Sequence, residues 1–426
     1  MNAKRGFKKV LIINNSSFNT SNATGITLRS TFQNWPMENI FEISCSAFSM
    51  GGEYRSFPLY TLPKRNYPFH YIMNSKLFKK ANENSKAQSV KENTGEGNKN
   101  KFRKIVISYA DMFPLFPPLQ LLEKVKKFNP DCIYTMGGSI LSMKLALYFS
   151  KKLDKKIVMH FMDNWQDTLY KDHLLMRPCD KKVQNLTNKI YQRMNVGLTI
   201  SEKMAEEYTA RRGIQHFPIM NSVSNIVDHP MVDVNKNDDF IITYAGGLHL
   251  QRWESLKDIS EMISQLTNSN NKNIRLHIYT SEQDRHNYER YFDKQVVKFL
   301  EYLPHNKVHI AYSKADVLLH IESFDKQIMN FTKYSLSTKI PEYMSSGKPL
   351  LVYASRHLAV SQYVKENKVG LVCENKKDLY ENIKAIIESG KLRYELAKEG
   401  INCAKQKHSA DATTKILEKV FNYEDE

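Results

Sequence analysis

Ser337-Thr338-Lys339-Ile340-Pro341-Glu342-Tyr343-Met344-Ser345-Ser346-Gly347-Lys348-Pro349 runs directly into Leu350-Leu351-Val352-Tyr353. Ser337 or Thr338 is a good helix N-cap, because a side-chain oxygen there takes up a free backbone N–H. Pro341 is tolerated in a first turn, where a missing N–H costs little. Gly347 is placed to end the helix, and Pro349 prevents its continuation. Leu350–Tyr353 then reads as a buried strand. A short helix feeding a buried strand is part of a βα rhythm and points to a parallel sheet.

Lys339 is the odd residue of this stretch. A cation in a first helical turn opposes the macrodipole, and an anionic ligand at that end would resolve the conflict. Glu342, one turn along, has the chemistry to accept hydrogen bonds from sugar hydroxyls. A solvated Lys and a surface Glu are the plainer reading, and the residues alone leave both open.

The same rhythm extends outward. Behind a patternless stretch at 221–239, read as a linker, strands are expected over 240–244, 274–279, 296–300 and 317–321. A helix is expected over 256–266, and the end from 391 to 421 reads as mostly helical. In front of it, strands are expected over 9–15, 41–45, 104–109, 132–136, 156–162 and 196–201. Helices are expected over 26–35, 119–128 and 140–153. Residues 76–104 break the pattern: Lys, Asn, Glu, Ser and Gly dominate, as in a mobile surface insertion. At roughly 100–200 residues per domain, 426 residues suit two α/β domains in tandem.

Composition narrows the class. Hydrophobic residues make up 41% and aromatics 11%, enough for packed cores. No apolar run approaches the length of a membrane span, and Val10-Leu11-Ile12-Ile13 is too short for a signal-peptide core. Five scattered cysteines without a CxxC fit reduced thiols and not a zinc site. Lys and Arg number 62 against 45 Asp and Glu, a net of +17 that lies wholly in residues 1–200. A pI near 9.3 raises nucleic acid as a partner, but no groove-reading helix, RRM or zinc module accompanies it. Neither GxGxxG, P-loop, HExxH nor GxSxG occurs, so no dinucleotide cofactor is expected.

Residues 337–353 resemble the signature of GT-B fold glycosyltransferases of the large retaining family 4. Tyr244-Ala245-Gly246-Gly247-Leu248, with Arg252 and Trp253 behind, resembles the strand, Gly-loop and helix that open the family's donor domain. The resemblance implies that Glu342 binds the donor ribose. It places Arg252 on the second position of a basic pair that grips the donor diphosphate, with Gly247 standing where the first cation is usual. Ser337, Thr338, Lys339, Gly246 and Ser323 join the implied donor set. The family's partner glutamate, eight positions before Glu342, is replaced by Tyr334; Glu322 and Asp325 are nearby acids off that spacing.

In the front half, Asp131–Gly138, Val196–Glu202 and Asn221-Ser222-Val223 are similar to the family's strand ends and turns. Asp163 follows a strand end, where ligands of open parallel sheets bind. Asp163 and His160 are the implied catalytic residues; a turn position and a core histidine are their plain alternatives. Thr24 and Gly25 form the implied acceptor-side loop, with Thr24 equally a helix cap.

The implied fold is α/β: two Rossmann-like domains (GT-B) facing each other across a cleft. Residues 1–220 would bind acceptor, 221–239 link, and 240–400 bind the nucleotide sugar. A C-terminal helix over 401–426 is expected to pack back on the first domain. The implied reaction moves a sugar from a nucleotide-diphosphate sugar, a UDP-sugar in preference to a GDP-sugar, to a hydroxyl of a lipid-linked or polysaccharide acceptor. It would be retaining and metal-independent, without a further cofactor. A catalytically degenerate partner subunit and a nucleotide-sugar epimerase of related fold are the alternatives.

Basic groups at Lys64-Arg65, Lys79-Lys80, Lys124 and Lys126-Lys127 alternate with Tyr67, Phe69, Phe78, Phe113, Leu115 and Phe116. Such a mixture suits docking onto an anionic membrane face. It suggests a cytoplasmic enzyme, peripheral on the inner membrane face, serving capsule or other cell-surface polysaccharide synthesis.

Overall fold

The computed structural model describes residues 6–18, 23–45, 58–61, 105, 108–114, 116–171, 174–232, 239–269 and 273–423. The expected insertion at 76–104 lies outside the described residues, as do Tyr67, Phe69, Phe78 and Leu115. Two compact units emerge, each built on its own sheet.

The first unit comprises residues 1–199, 205–217 and 414–426. Its strands are β1 (Val10–Asn14), β2 (Ile40–Ser44), β3 (Leu59–Thr61), β4 (Cys132–Thr135), β5 (Ile157–Phe161), β6 (Val196–Thr199) and β7 (Gln215–Pro218). They lie in the order β3-β2-β1-β4-β5-β6-β7, with parallel pairing from β3 through β6. β1, β2, β4 and β5 are buried along their whole length, so they appear in the sequence as largely apolar runs and not as alternation, with Glu42 and His160 as buried polar exceptions. The helices Leu119–Phe128 and Ile140–Leu153 fall where expected, the second capped by Ser139 accepting the Ser142 N–H.

Three expectations need correction. Residues 105 and 108–112 are helical and not part of a strand. The run Ile105-Val106-Ile107 favours a strand by propensity, but short apolar runs do not distinguish the two states. The Lys144 ammonium caps the carbonyls of Asp111 and Phe113, which stabilises the end of this helical turn. Thr24 and Gly25 lie inside the helix Ala23–Thr31 and not in a loop before it. The chain's end forms two helices, Gly390–Lys407 and Ala410–Phe421, the first starting well before residue 401. Phe421 stacks on Phe32 and meets Trp35 edge-on within the first unit.

The second unit comprises residues 200–204 and 218–413. Here β8 (Asp239–Ala245), β9 (Asn273–Thr280), β10 (Val297–Glu301), β11 (Val317–Ile321), β12 (Leu350–Tyr353) and β13 (Gly370–Cys373) lie in the order β10-β9-β8-β11-β12-β13. Every pairing is parallel. Gly347 takes φ +72 just after the helix Lys339–Ser345, the left-handed conformation that glycine adopts without strain. Part of the expected linker is pinned to this unit. Val223 N–H donates to His408 O, Val227 N–H to Ser345 O and Met231 N–H to Gly347 O. Among the described residues no helix is long and apolar enough to cross a membrane. All five cysteines are buried and unbridged.

Each unit encloses one neutral histidine between a carbonyl and a tyrosine. His216 Nδ1–H donates to Ile214 O (2.7 Å), and Nε2 accepts from Tyr191 OH (3.4 Å). His408 Nδ1–H donates to Asn221 O (3.1 Å), and Nε2 accepts from Tyr363 OH (2.6 Å). Burial pushes both rings down to about 4 from the ordinary 6.5. Below the ordinary value the unfolded chain takes up protons that the folded chain refuses. Stability is therefore expected to fall as pH drops from 6.5 towards 4, by up to about 3 kcal/mol per histidine. Urea unfolding at pH 7, 5.5 and 4.5 checks this; an unchanged midpoint would contradict it.

Candidate functional site

In the second unit, β8 ends at Ala245 and the chain bends through Gly246-Gly247-Leu248. Tyr244 OH donates to Gly247 O at 2.7 Å. Leu248 N–H and Thr280 OH both donate to Asp284 Oδ2, at 3.0 and 3.1 Å. Leu250 and Gln251 then take φ 57 and 54. Two consecutive left-handed non-glycine residues cost about 1–2 kcal/mol each, so the surroundings must enforce the turn. It delivers Arg252 as the first residue of an 18-residue helix, Arg252–Ser269.

Arg252 meets an acid from the neighbouring strand. Its Nη2 donates to both oxygens of Glu322, at 3.1 and 3.0 Å. His320 Nε2 lies 3.1 Å from Glu322 Oε1, and Ser255 OH donates to Glu322 O at 2.7 Å. Burial alone would raise the Glu322 carboxyl. The His320 hydrogen bond and the Arg252 charge outweigh it and hold the carboxyl below its ordinary value. Burial lowers His320, which donates to the carboxylate as a neutral ring. Arg252 and Glu322 thus form a partly buried pair of zero net charge.

Lys339 opens the seven-residue helix Lys339–Ser345. Its ammonium folds back over the Gly-loop: a Cβ on Gly246 would stand 2.6 Å from Nζ. Among the described residues the ammonium has no hydrogen-bond or ion-pair partner. Burial and the nearby Arg252 push it down to about 8, partly opposed by Glu342 and Glu322. Ser337 Oγ accepts the Lys339 N–H at 3.3 Å, whereas the Thr338 side chain makes no cap bond. The helix is too short to be an anion site by its dipole; the cation itself supplies the field.

Glu342 is half-buried. Tyr312 OH donates to its Oε2 at 2.9 Å, and His305 Nδ1 lies 3.4 Å from Oε1. Burial raises its carboxyl, opposed by His305, the Tyr312 hydrogen bond and Lys339. Each oxygen keeps acceptor capacity for a further hydroxyl. Ser323 is buried, and its Oγ accepts the Asp325 N–H at 3.1 Å while Asp325 caps the helix Lys326–Thr332. Gly247 leaves the room that His249 Nδ1 occupies. Tyr334, where the family has an acid, is fully buried.

The first unit holds the other candidates. Asp163 is half-buried at the bend after β5, and Thr24 is half-buried beside the buried Gly25. His160 has no exposed surface, and its Nδ1 bonds Tyr134 OH at 2.6 Å. A ring so placed in the sheet interior fits the plain alternative, a core histidine.

Sequence reasoning missed His320, His305 and Tyr312, and noted Glu322 only as an acid off the expected spacing. One signal was available: His320 and Glu322 are two apart at a strand end and therefore share a face. Nothing local marks His305 or Tyr312, which reach Glu342 from a separate turn.

Residues 230–402 match the sequence model of the family described as Glycosyl transferases group 1. The match lies wholly within the second unit. The solved structure of Anabaena Alr3699/HepE in complex with UDP and glucose is 12% identical, with TM-score 0.60 over 98% of this chain and 100% of that one. Sucrose-phosphate synthase from Thermosynechococcus elongatus is 13% identical, with TM-score 0.61 over 97% and 98% of the two chains. The lipopolysaccharide outer core galactosyltransferase WaaB is 13% identical, with TM-score 0.57 over 96% and 98%. At such identities the likeness establishes the shared fold, GT-B. A comparison with curated proteins gave no match.

The Glu322 pair yields a direct expectation. Glu322→Ala leaves Arg252 and His320 facing a hole. It should destabilise the protein by about 3–5 kcal/mol, read as a lowered thermal midpoint. A midpoint within error of wild type would show that the pair does not hold the loop.

Proposed function

We propose that this glycosyltransferase moves a sugar from a UDP-sugar to a hydroxyl of a lipid-linked or glycan acceptor, with retention of configuration and without a metal ion. The observation that carries the reading is the convergence of Lys339, Glu342 and the Gly246-Gly247 bend in the group 1 domain. A ribose would bond the free acceptor positions of Glu342, and the diphosphate would sit in the field of Lys339. The uridine nucleotide is supported by the HepE structures, which are complexes with UDP and with UDP-glucose. Neutralising the leaving diphosphate is work that fixed cations can do, so a divalent ion is not required by the chemistry. The leaving phosphate would assist deprotonation of the acceptor hydroxyl on the same face. Asp163 remains the first-unit candidate for orienting hydroxyls.

Incubation with a panel of nucleotide sugars, with and without a polyprenyl-linked acceptor, tests the reading through nucleotide release. Acceptor-dependent UDP release is expected. Glu342→Ala should raise donor KM about tenfold or more, the worth of a hydrogen bond to a charged group. Unchanged turnover of every responsive donor would overturn the assignment. A degenerate binding partner, favoured by the neutralised Arg252, would bind UDP and release nothing.

The acceptor reading is joined by a surface of the first unit. Phe116 is 77% exposed, Leu119 76%, Leu174 70% and Leu175 58%. Tyr109 OH donates to Leu175 O at 2.6 Å, and Cys179 lies on Met112, so the segment leading into Phe116 is tied to the one bearing Leu174 and Leu175. Lys124, Lys171, Arg177 and Lys181 are exposed around them. Burial pushes the Asp111 carboxyl up to about 6, against the pull of Lys144. We read this as the face that docks on an anionic bilayer. The doubly substituted Phe116→Ser/Leu174→Ser should cut sedimentation with phosphatidylglycerol vesicles about tenfold. Wild-type binding that ignores lipid charge and salt would sink the idea.

A further inference from the structure

We infer that Lys339, and not Arg252, supplies the charge that holds the donor diphosphate, and that Glu322 is a positioning residue that withdraws the Arg252 charge from the ligand. The inference deepens the nucleotide-sugar reading and rests on it. In a basic pair on the Gly-loop, both cations would face the ligand; here one position is Gly247 and the other is neutralised.

Three observations carry it. Glu322 is almost fully buried and takes two hydrogen bonds from a single Arg252 nitrogen and a third from His320. A carboxylate so placed needs its cation continuously, because an unpaired buried charge is far costlier than a paired one. To an approaching diphosphate the pair is a dipole of zero net charge. Lys339 is the opposite case. Its ammonium has no partner among the described residues, although Glu342 acts on it through space. Its burial and the proximity of Arg252 disfavour the charged form, a penalty that an added anion would remove.

Gly246 supplies the geometry. The volume a side chain would fill there holds the Lys339 Nζ, with Tyr244 OH as the next neighbour at 2.9 Å from the ideal Cβ. The backbone and the ammonium therefore approach each other closely at the strand end. A methyl group at this position must displace the ammonium, since the Tyr244 ring is buried and bonded to Gly247.

Calorimetric titration with uridine and with UDP separates the diphosphate contribution from that of the nucleoside. Wild type should bind UDP more tightly than uridine. Lys339→Ala should lose roughly ten- to hundredfold in UDP affinity, the size of one charge-assisted bond, and leave uridine affinity unchanged. Gly246→Ala should lose a similar factor, and the double variant no more than either single one, since both remove the same ammonium. Glu322→Gln should tighten UDP binding by freeing the Arg252 charge. The inference is overturned if Lys339→Ala binds UDP as wild type does, if Gly246→Ala and Lys339→Ala losses multiply, or if Glu322→Gln weakens UDP in a protein that still binds uridine normally. Wild type that binds neither uridine nor UDP overturns the nucleotide-sugar reading itself. Wild type that binds both equally overturns only the role of Lys339.

Discussion

A carboxylate taken out of water must be met by a cation, and the demand of Glu322 organises one face of the second unit. Glu322 sits just past β11, so its cation must come from an adjacent strand's connection. That cation is Arg252, and reaching it forces the chain after β8 through two left-handed residues, Leu250 and Gln251. Ser255, one turn further along the same helix, then closes on the Glu322 carbonyl. The helix Arg252–Ser269 is therefore fixed at its start by electrostatics and along its length by Leu256, Ile259 and Ile263 in the core. Buried ion pairs are seldom the most stable solution, and apolar replacements of equal volume often do as well. What this one adds is placement. It determines which backbone groups of the Gly-loop stand at the strand end and which cation stays free above them.

Sheet topology puts that placement where a ligand can use it. In open parallel sheets the connections on either side of an order reversal lead away from each other and leave a crevice at the carboxyl ends. β8 and β11 are neighbours in the sheet though not in the chain. Gly246 follows β8, Glu322 follows β11, and Lys339 folds back onto Gly246. The first unit repeats the arrangement between β1 and β4. There Asn14 Oδ1 accepts the Met136 N–H at 2.7 Å, and Ser139 OH donates to Asn15 Oδ1 at 2.8 Å. Gly137 takes φ +64 with the Trp165 ring against it, so the turn after β4 is held tightly. Polar residues tie the two strand ends across the reversal in both units, and among the described residues the second unit leaves the Lys339 ammonium unpaired there.

Strands buried on both faces were the most readable part of the chain. Residues 350–353 are an unbroken apolar run and 317–321 an apolar run broken only by His320, each with turn signals at its ends, and the structure has those strands at those bounds. The helix end at 347 was equally plain, because a glycine there takes the left-handed conformation without strain. Residues 104–109 failed for a definite reason. A short β-branched run carries no period, and the Lys144 ammonium caps the carbonyls of Asp111 and Phe113 at the end of the helical residues 108–112, a tertiary contact that no local pattern encodes. Among the site residues, Lys339 announced itself as a charge in the wrong turn, and Glu342 by its place beside it. The Arg252 to Glu322 pair spans seventy positions and follows from strand order, which no local pattern encodes. His305 and Tyr312 reach Glu342 by tertiary packing in the same way.

The puzzle of Lys339 resolves differently from its first appearance. A cation at a helix start is unfavourable by about 0.3–1 kcal/mol at most, and a seven-residue helix exerts a weak field of that kind. The larger cost lies in holding an ammonium in a half-buried position beside a second cation, with both nearby carboxylates engaged elsewhere: Glu322 by Arg252 and His320, Glu342 by Tyr312 and His305. Alternatives were open to the chain, since a Lys side chain has the length and freedom to reach solvent. That it is instead directed over Gly246, whose missing side chain makes the space, couples two residues 93 positions apart to one purpose. Strain of this sort persists where something outside the chain relieves it. A diphosphate, with its charge concentrated on a few oxygens, relieves it better than a neutral sugar could.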